Sequence, residues 1–466
     1  MIFLQRLLDA VQGLFVIYLI GYATFLFLSV VVGGTRLYKR KQMLQIRNEL
    51  KHDYYMPISI LVPAYNEEVT IVDSIESLLQ LNYRLYEIII VDDGSKDATT
   101  EILLEHFPFE IVERPIHKRI DCRKEQAIYE CTVNGIHLTL VQKENGGKGD
   151  ALNMGINASS YPYFLCIDAD SMLQKDSLER IVQPLLENDD VIAVAGLVRV
   201  AQCVEIENGE VKNYHLPWNP ILCMQVMEYD RSFLASRILM DYYNGNIIIS
   251  GAFGLFRKDI VIAAGGYDCD TLGEDMELAV KLHVFARNNQ LDYSIRYESN
   301  AVCWSQAPSS IKDLMKQRRR WHLGLFQCMT KYSSMFMNTR FGLVSFLSYM
   351  YYLFYELLSP FIEFIGLTAV VLSIIFGFIN VSFMIFFFLF YALYGSLLTL
   401  TAFFQRVYAQ DLKLGFTDLI KAIIMCFLEN VFFRFLLTFA RTTAFFHYKK
   451  RKREWGSIKR EKQRTG

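Results

Sequence analysis

Two apolar regions bracket a charged middle, and any fold must serve both. Residues 11–32 form an apolar stretch long enough to span a bilayer, and aromatic and aliphatic runs dominate again from 340 to 446. Arg36, Lys39, Arg40 and Lys41 flank the first stretch on its C-terminal side, so the positive-inside rule places that side in the cytoplasm and the N-terminus outside. Hydrophobic residues make up 52% of the 466, yet charged residues still reach 21%. That is too many for membrane spans alone, so a soluble unit is expected between them. In the second region the clearest spans are 361–378 and 381–404. Residues 341–358 are rich in tyrosine and contain Glu356, while 419–446 carry Lys421, Glu429, Arg434 and Arg441. Such charges are costly at bilayer depth, so both segments are read as interfacial helices. Two C-terminal spans, or equally four, keep the basic run Lys449-Lys450-Arg451-Lys452-Arg453 on the cytoplasmic side. The expectation is a multi-pass protein of the plasma membrane.

The net charge of −1 gives no support for a nucleic-acid partner. Nine cysteines without a CxxC pair fit reduced cytosolic thiols better than a disulfide framework. From 56 to 331 the pattern alternates between short apolar runs and helical periods. Strands are expected at 58–62, 87–91 and 163–167, and helices at 67–79 and 178–186. This alternation predicts an α/β unit with a mostly parallel, Rossmann-like sheet, whose ligands bind beyond the carboxyl ends of the strands.

Several motifs fall at those ends. Asp168-Ala169-Asp170 follows a strand directly, and its hard oxygen ligands suit Mg2+ or Mn2+ shared with substrate phosphates, although a surface turn produces the same tripeptide. Asp92-Asp93-Gly94-Ser95 closes another strand. Two adjacent acids suit a base or ribose, while Asp97 reads as a helix cap. The turn Asn145-Gly146-Gly147-Lys148-Gly149-Asp150 could cradle phosphate with its amides and one ammonium, or serve as a flexible loop. Gly273-Glu274-Asp275-Met276-Glu277 opens a helix at about 276–285. The helix dipole explains acids there, and Asp275 is also a candidate general base. Gln317-Arg318-Arg319-Arg320-Trp321 joins guanidinium forks suited to diphosphate with an indole suited to a sugar ring, or else forms a basic membrane-proximal helix.

The order of these motifs, together with Val62-Pro63-Ala64-Tyr65-Asn66-Glu67 and Ser250-Gly251-Ala252-Phe253-Gly254, resembles the membrane-bound family-2 glycosyltransferases that include cellulose, hyaluronan and poly-N-acetylglucosamine synthases. The resemblance runs from 56 to 321. It implies a GT-A catalytic domain at 56–335; hydropathy and flanking charge add a transmembrane helix at 1–35, a cytoplasmic linker at 36–55, interfacial and transmembrane helices at 336–446 and a basic cytoplasmic tail at 447–466. It also implies inverting transfer from a UDP-sugar with a divalent metal. Carried over by position, Ala64, Tyr65, Glu67, Asp92 and Asp93 would hold the nucleoside, and Lys148 and Asp168 the rest of the nucleotide-sugar. Asp170 would bind the metal. Asp275, beside Glu274, would be the base, and Gln317, Arg320 and Trp321 would close on diphosphate and acceptor.

The expected activity is extension of a β-linked bacterial exopolysaccharide of glucose or N-acetylglucosamine, as in biofilms. The growing glycan would be the acceptor, and a partner membrane subunit, self-association or the further pair of spans would complete the export path. Transfer of a single sugar to a lipid carrier or glycolipid is the alternative within the same chemistry. An inactive scaffold is disfavoured, because each candidate position carries the required chemical type. Two departures bear on the acceptor: the spacing of residues 106–137, and an inserted stretch at 204–215 expected beside the acceptor side.

Overall fold

The computed structural model describes residues 2–47, 55–207, 209–409 and 412–446. The basic tail at 447–466 and linker residues 48–54 lie outside the described residues.

Strands β1 (Ile58–Ala64), β2 (Tyr86–Asp92), β3 (Glu110–Ile111), β4 (Glu125–Val133), β5 (Ile136–Lys143), β6 (Tyr163–Cys166), β7 (Met172–Leu173), β8 (Val191–Val200), β9 (Val204–Glu207), β10 (Glu210–Tyr214), β11 (Gly254–Arg257) and β12 (Ser294–Ser305) build two sheets. The ten-stranded sheet runs β3-β4-β5-β2-β1-β6-β11-β8-β12-β7. Its centre, β5-β2-β1-β6, is parallel throughout, so four carboxyl ends point to one edge. β11 enters antiparallel between β6 and β8, and β8 pairs parallel with β12. β2 and β8 are buried along their whole length. Continuous apolar runs such as Ile88-Ile89-Ile90 are what a sheet covered on both faces requires.

The departure at 106–137 resolves into β3 and the β4–β5 hairpin. Asn134 and Gly135 form its two-residue turn at φ 53° and 81°, as expected of a type I′ connection. The helix expected at 67–79 begins at Ile71, and the one expected at 178–186 divides into Ser177–Ile181 and Gln183–Glu187, with Pro184 early in the second piece.

The N-terminal helix spans Ile2–Arg47, running straight through the start of the expected linker. Gly33 and Gly34 do not break it. They let its backbone approach Leu234 and the Gln405 side chain, where an added Cβ would lie 2.4 Å from each neighbour. Beyond the apolar stretch, Arg40 pairs with Glu298 of β12, and Lys41 donates to the carbonyl of Tyr408. The helix thus ties the sheet to the C-terminal region.

Among the described residues, three helices are long and apolar enough to cross a membrane: Ile2–Met43, Val381–Ala409 and Phe416–Phe445. The third differs from the interfacial role expected of 419–446. Its charges are paired inward: Glu429 with Arg231, Arg434 with Glu363 and Arg441 with Glu356. Pairing offsets much of what an isolated charge costs at that depth. The span expected at 361–378 is one arm, Ser359–Ile375, of a pair bent by 54° against Val344–Leu357. Pro360 sits in the first turn after the bend, a sufficient cause of it.

Candidate active site

The four parallel strand ends open into one cavity of about 990 Å³. Ala64 ends β1, Tyr65 and Glu67 follow it, Asp93 follows β2, Lys148 follows β5, and Asp168 and Asp170 follow β6; all line the cavity. Glu274, Asp275, Gln317, Arg320 and Trp321 line it from the other side. Asp92 is absent from its wall. That carboxylate is buried and accepts from the Ser95 amide at 2.9 Å and the Thr100 hydroxyl at 2.5 Å, so it shapes the β2 turn.

Lys148 is the hub. Its Nζ lies 2.5 Å from Asp168 Oδ1, 3.6 Å from Glu274 Oε1 and 3.4 Å from the Gly251 carbonyl, with only 9% of the side chain exposed. Burial works against its charge, but Asp168, Glu274 and Asp275 prevail and hold the ammonium above the ordinary lysine range. Burial also pushes the Glu274 carboxyl up, with Lys148 opposing. Asp275 accepts from the Gly251 amide at 3.1 Å and the Met276 amide at 2.8 Å, which orient the carboxylate at the head of helix Glu274–Asn288. Gly251 leaves room for this group, since an added Cβ would lie 2.9 Å from Lys148 Nζ and 3.4 Å from Asp275 Cβ and displace the ammonium.

Helix Ile311–Lys331 brings the Gln317–Trp321 group to this helix head through a backbone contact. A Cβ on Gly324 would lie 2.8 Å from both N and Cα of Gly273, a distance only two glycines permit. Arg318 pairs with Glu228 at 2.6 Å and stacks over the Trp321 ring at 4.3 Å, steadying an indole that remains 41% exposed. Gln317 Oε1 is buried without a partner among the described residues.

For a metal, Asp168 and Asp170 supply hard oxygen donors at one strand end. No group of three or more His, Cys, Asp or Glu side chains able to hold a metal occurs among the described residues. Two carboxylates completed by substrate phosphates suit Mg2+ or Mn2+, which keep much of their coordination outside the protein.

Sequence reasoning missed the far end of the cavity. Its wall continues to Arg231, Glu356, Glu363, Glu429, Arg434 and Arg441, among Tyr22, Tyr351 and Tyr355. Arg231 grips Glu429 through two bonds of 2.7 and 3.0 Å, and Glu363 accepts from Arg434 at 2.6 Å and Thr438 at 3.0 Å. Three π-helical segments, Ser232–Ser236, Tyr352–Leu357 and Glu429–Phe433, each contribute wall residues. The available signal was the set of charges inside apolar segments. By contrast, the stretch at 204–215 lies off the wall: β9 and β10 form a hairpin whose Tyr214 bonds Arg406, and the following Leu216 amide donates to Asp418 at 3.2 Å. It fastens the catalytic unit to the C-terminal apolar helices.

The family described as glycosyl transferase family group 2 matches residues 163–404, more than half of the chain, and glycosyl transferase family 2 matches residues 59–132. The chain belongs to the family 2 glycosyltransferases. This transferase is 30% identical over 312 residues to the poly-beta-1,6-N-acetyl-D-glucosamine synthase of Staphylococcus epidermidis, covering 66% of this chain and 64% of that protein. It is 29% identical over 310 residues to the synthase of the same name from Staphylococcus aureus, with the same coverage of each. The match thus spans somewhat under two thirds of these relatives. A mannosyltransferase from Pyrobaculum calidifontis, solved in complex with GDP-Man and Mn2+, superposes with a TM-score of 0.49 at 18% identity, over 89% of this chain and 99% of that one.

Proposed function

We propose that this transferase extends a β-linked exopolysaccharide from a UDP-sugar, with UDP-N-acetylglucosamine as first candidate and UDP-glucose as second, and passes it outward. The catalytic unit, 56–335, would face the cytoplasm, with the basic flank of the first helix and the tail on the same side and the C-terminal helices crossing the membrane. The observation that carries this reading is the single cavity joining the strand-end acids to the charged, tyrosine-lined wall among the membrane helices. A transferase adding one sugar needs only the first part. The names of the staphylococcal relatives favour N-acetylglucosamine.

In this scheme Ala64, Tyr65, Glu67 and Asp93 surround the nucleoside, and Asp168 with Lys148 flanks the diphosphate. Mg2+ or Mn2+, held by Asp170 and Asp168, supplies further charge neutralisation when bound. An acceptor hydroxyl lying against Trp321 loses its proton to Asp275 as its oxygen attacks the anomeric carbon from the face opposite the diphosphate. The bond from that carbon to the diphosphate breaks with inversion, and Lys148 and Arg320 meet the charge left on the departing UDP. The two amides that orient Asp275 hold its lone pairs ready without a reorganisation step.

The test is UDP release from membranes containing the protein, supplied in turn with UDP-N-acetylglucosamine, UDP-glucose and UDP-galactose, before and after chelation. The proposal expects release with one of the first two and loss on chelation restored by Mg2+ or Mn2+. No release with any donor contradicts it.

A further inference from the structure

Beneath the glycine turn, Asp93 and Asp150 of two of the motifs close on a lysine that none of the motifs includes. Lys143, the last residue of β5, is fully buried. Its Nζ lies 2.5 Å from Asp93 Oδ1, 2.6 Å from Asp150 Oδ1 and 2.7 Å from the Glu144 carbonyl. A buried ammonium persists only where counter-charges and acceptors surround it. Each carboxylate in turn grips backbone. Asp93 accepts from the Gly146 amide at 3.0 Å and the Gly147 amide at 2.7 Å, and its own carbonyl accepts from Asn145 Nδ2 at 2.7 Å. Asp150 accepts from the Arg123 amide at 3.1 Å through both oxygens.

The turn at 145–147 is therefore fastened from below at all three residues. Gly147 has φ +90°, and a Cβ on Gly146 would strike the Asp150 carboxylate at 2.5 Å. The next residue is Lys148, whose ammonium rests on Asp168. Burial pushes the Asp93 carboxyl up, and the bond from Lys143 is the chief influence holding it down. Without Lys143 two buried carboxylates would share the space, one would take a proton, and the turn would lose acceptors. Lys143 itself is not on the cavity wall.

We propose that Lys143 is a positioning residue for donor binding: through Asp93 and Asp150 it sets the 145–147 turn, and with it the place of Lys148 beside Asp168 where a nucleotide diphosphate binds. This rests on the UDP-sugar reading above, and the experiment separates the two. Parent, Lys143→Arg, Lys143→Met and the charge-balanced Lys143→Met/Asp150→Asn are compared for UDP-sugar turnover, UDP affinity by calorimetry and melting temperature. Lys143→Met should raise donor KM and the Kd for UDP about 10–100-fold, the scale of a misplaced binding group. Acceptor dependence should be unchanged, and Lys143→Arg should recover much of the affinity.

A purely structural role would lower the melting temperature while leaving KM and Kd per folded molecule at parent values, and that result in Lys143→Met overturns the proposal. If Lys143→Met does not fold, the double variant decides by the same criterion. A parent that binds UDP but turns over no UDP-sugar defeats the donor reading alone, and UDP affinity still judges Lys143. A parent that binds no UDP overturns both.

Discussion

The two ends of the cavity are built on opposite plans. At the sheet end, strand termini and a helix head present acids and one lysine, held by backbone amides or a buried counter-ion: Asp275 by Gly251 and Met276, Asp93 by Gly146, Gly147 and Lys143. At the end among the apolar helices, the wall is made of side-chain pairs between helices, Arg231 with Glu429, Arg434 with Glu363 and Arg441 with Glu356, carried partly on π-helical turns. Amide-held groups are fixed within a fraction of an ångström, as bond-making chemistry needs. Pairs between long side chains on separate helices can exchange partners, which under the proposed function would suit a surface that holds many similar sugar units in turn.

The contrast can be broken most sharply at Asp275. Asp275→Asn should lower turnover by about 10²–10⁴-fold, the range of a lost general base, while UDP affinity by calorimetry stays at the parent value; unchanged turnover would remove the assignment. Next in size is Gly324→Ala, which forces helix Ile311–Lys331 away from Gly273. It should cost about 10–100-fold in kcat, with donor KM little changed, since Arg320 and Trp321 move relative to Asp275 while the glycine turn does not. A rise confined to donor KM would show that the helix contact serves the nucleotide instead.

At the other end, Glu363→Gln unbalances Arg434 without touching the strand-end acids. Initial UDP release should persist with shorter product, read by size fractionation of labelled glycan. Loss of UDP release in step with product length would mean that the two ends are not separable. The smallest effect belongs to Asp92→Asn, which weakens the acceptor for the Thr100 hydroxyl. It should cost about 1 kcal/mol of stability in a thermal melt and leave donor KM alone; a large rise in donor KM would make Asp92 a direct contact.

How much of this was legible beforehand follows from the same contrast. β1, β2 and β6 are short apolar runs ending at Ala64, Asp92 and just before Asp168, and a buried parallel sheet writes that pattern plainly. The order of motifs on those ends therefore told which residues would converge. The β4–β5 hairpin was missed, although Asn134-Gly135 is a strong two-residue turn signal. The far end of the cavity was obscured because charge inside an apolar helix reads as a penalty until its partner is known. Glu363 lies 71 residues from Arg434, and Arg231 lies 198 from Glu429, separations that periodicity does not reveal. The same holds for Lys143, whose partners Asp93 and Asp150 come from different elements.

The claim that both ends serve one reaction is tested most directly by product length. Membranes containing the protein, supplied with labelled UDP-N-acetylglucosamine or UDP-glucose, should yield a polymer of many sugars, chased to greater length by unlabelled donor and absent from Asp275→Asn. A product fixed at one added sugar, with UDP release equal to acceptor present, would contradict the account and leave a single-transfer enzyme in its place.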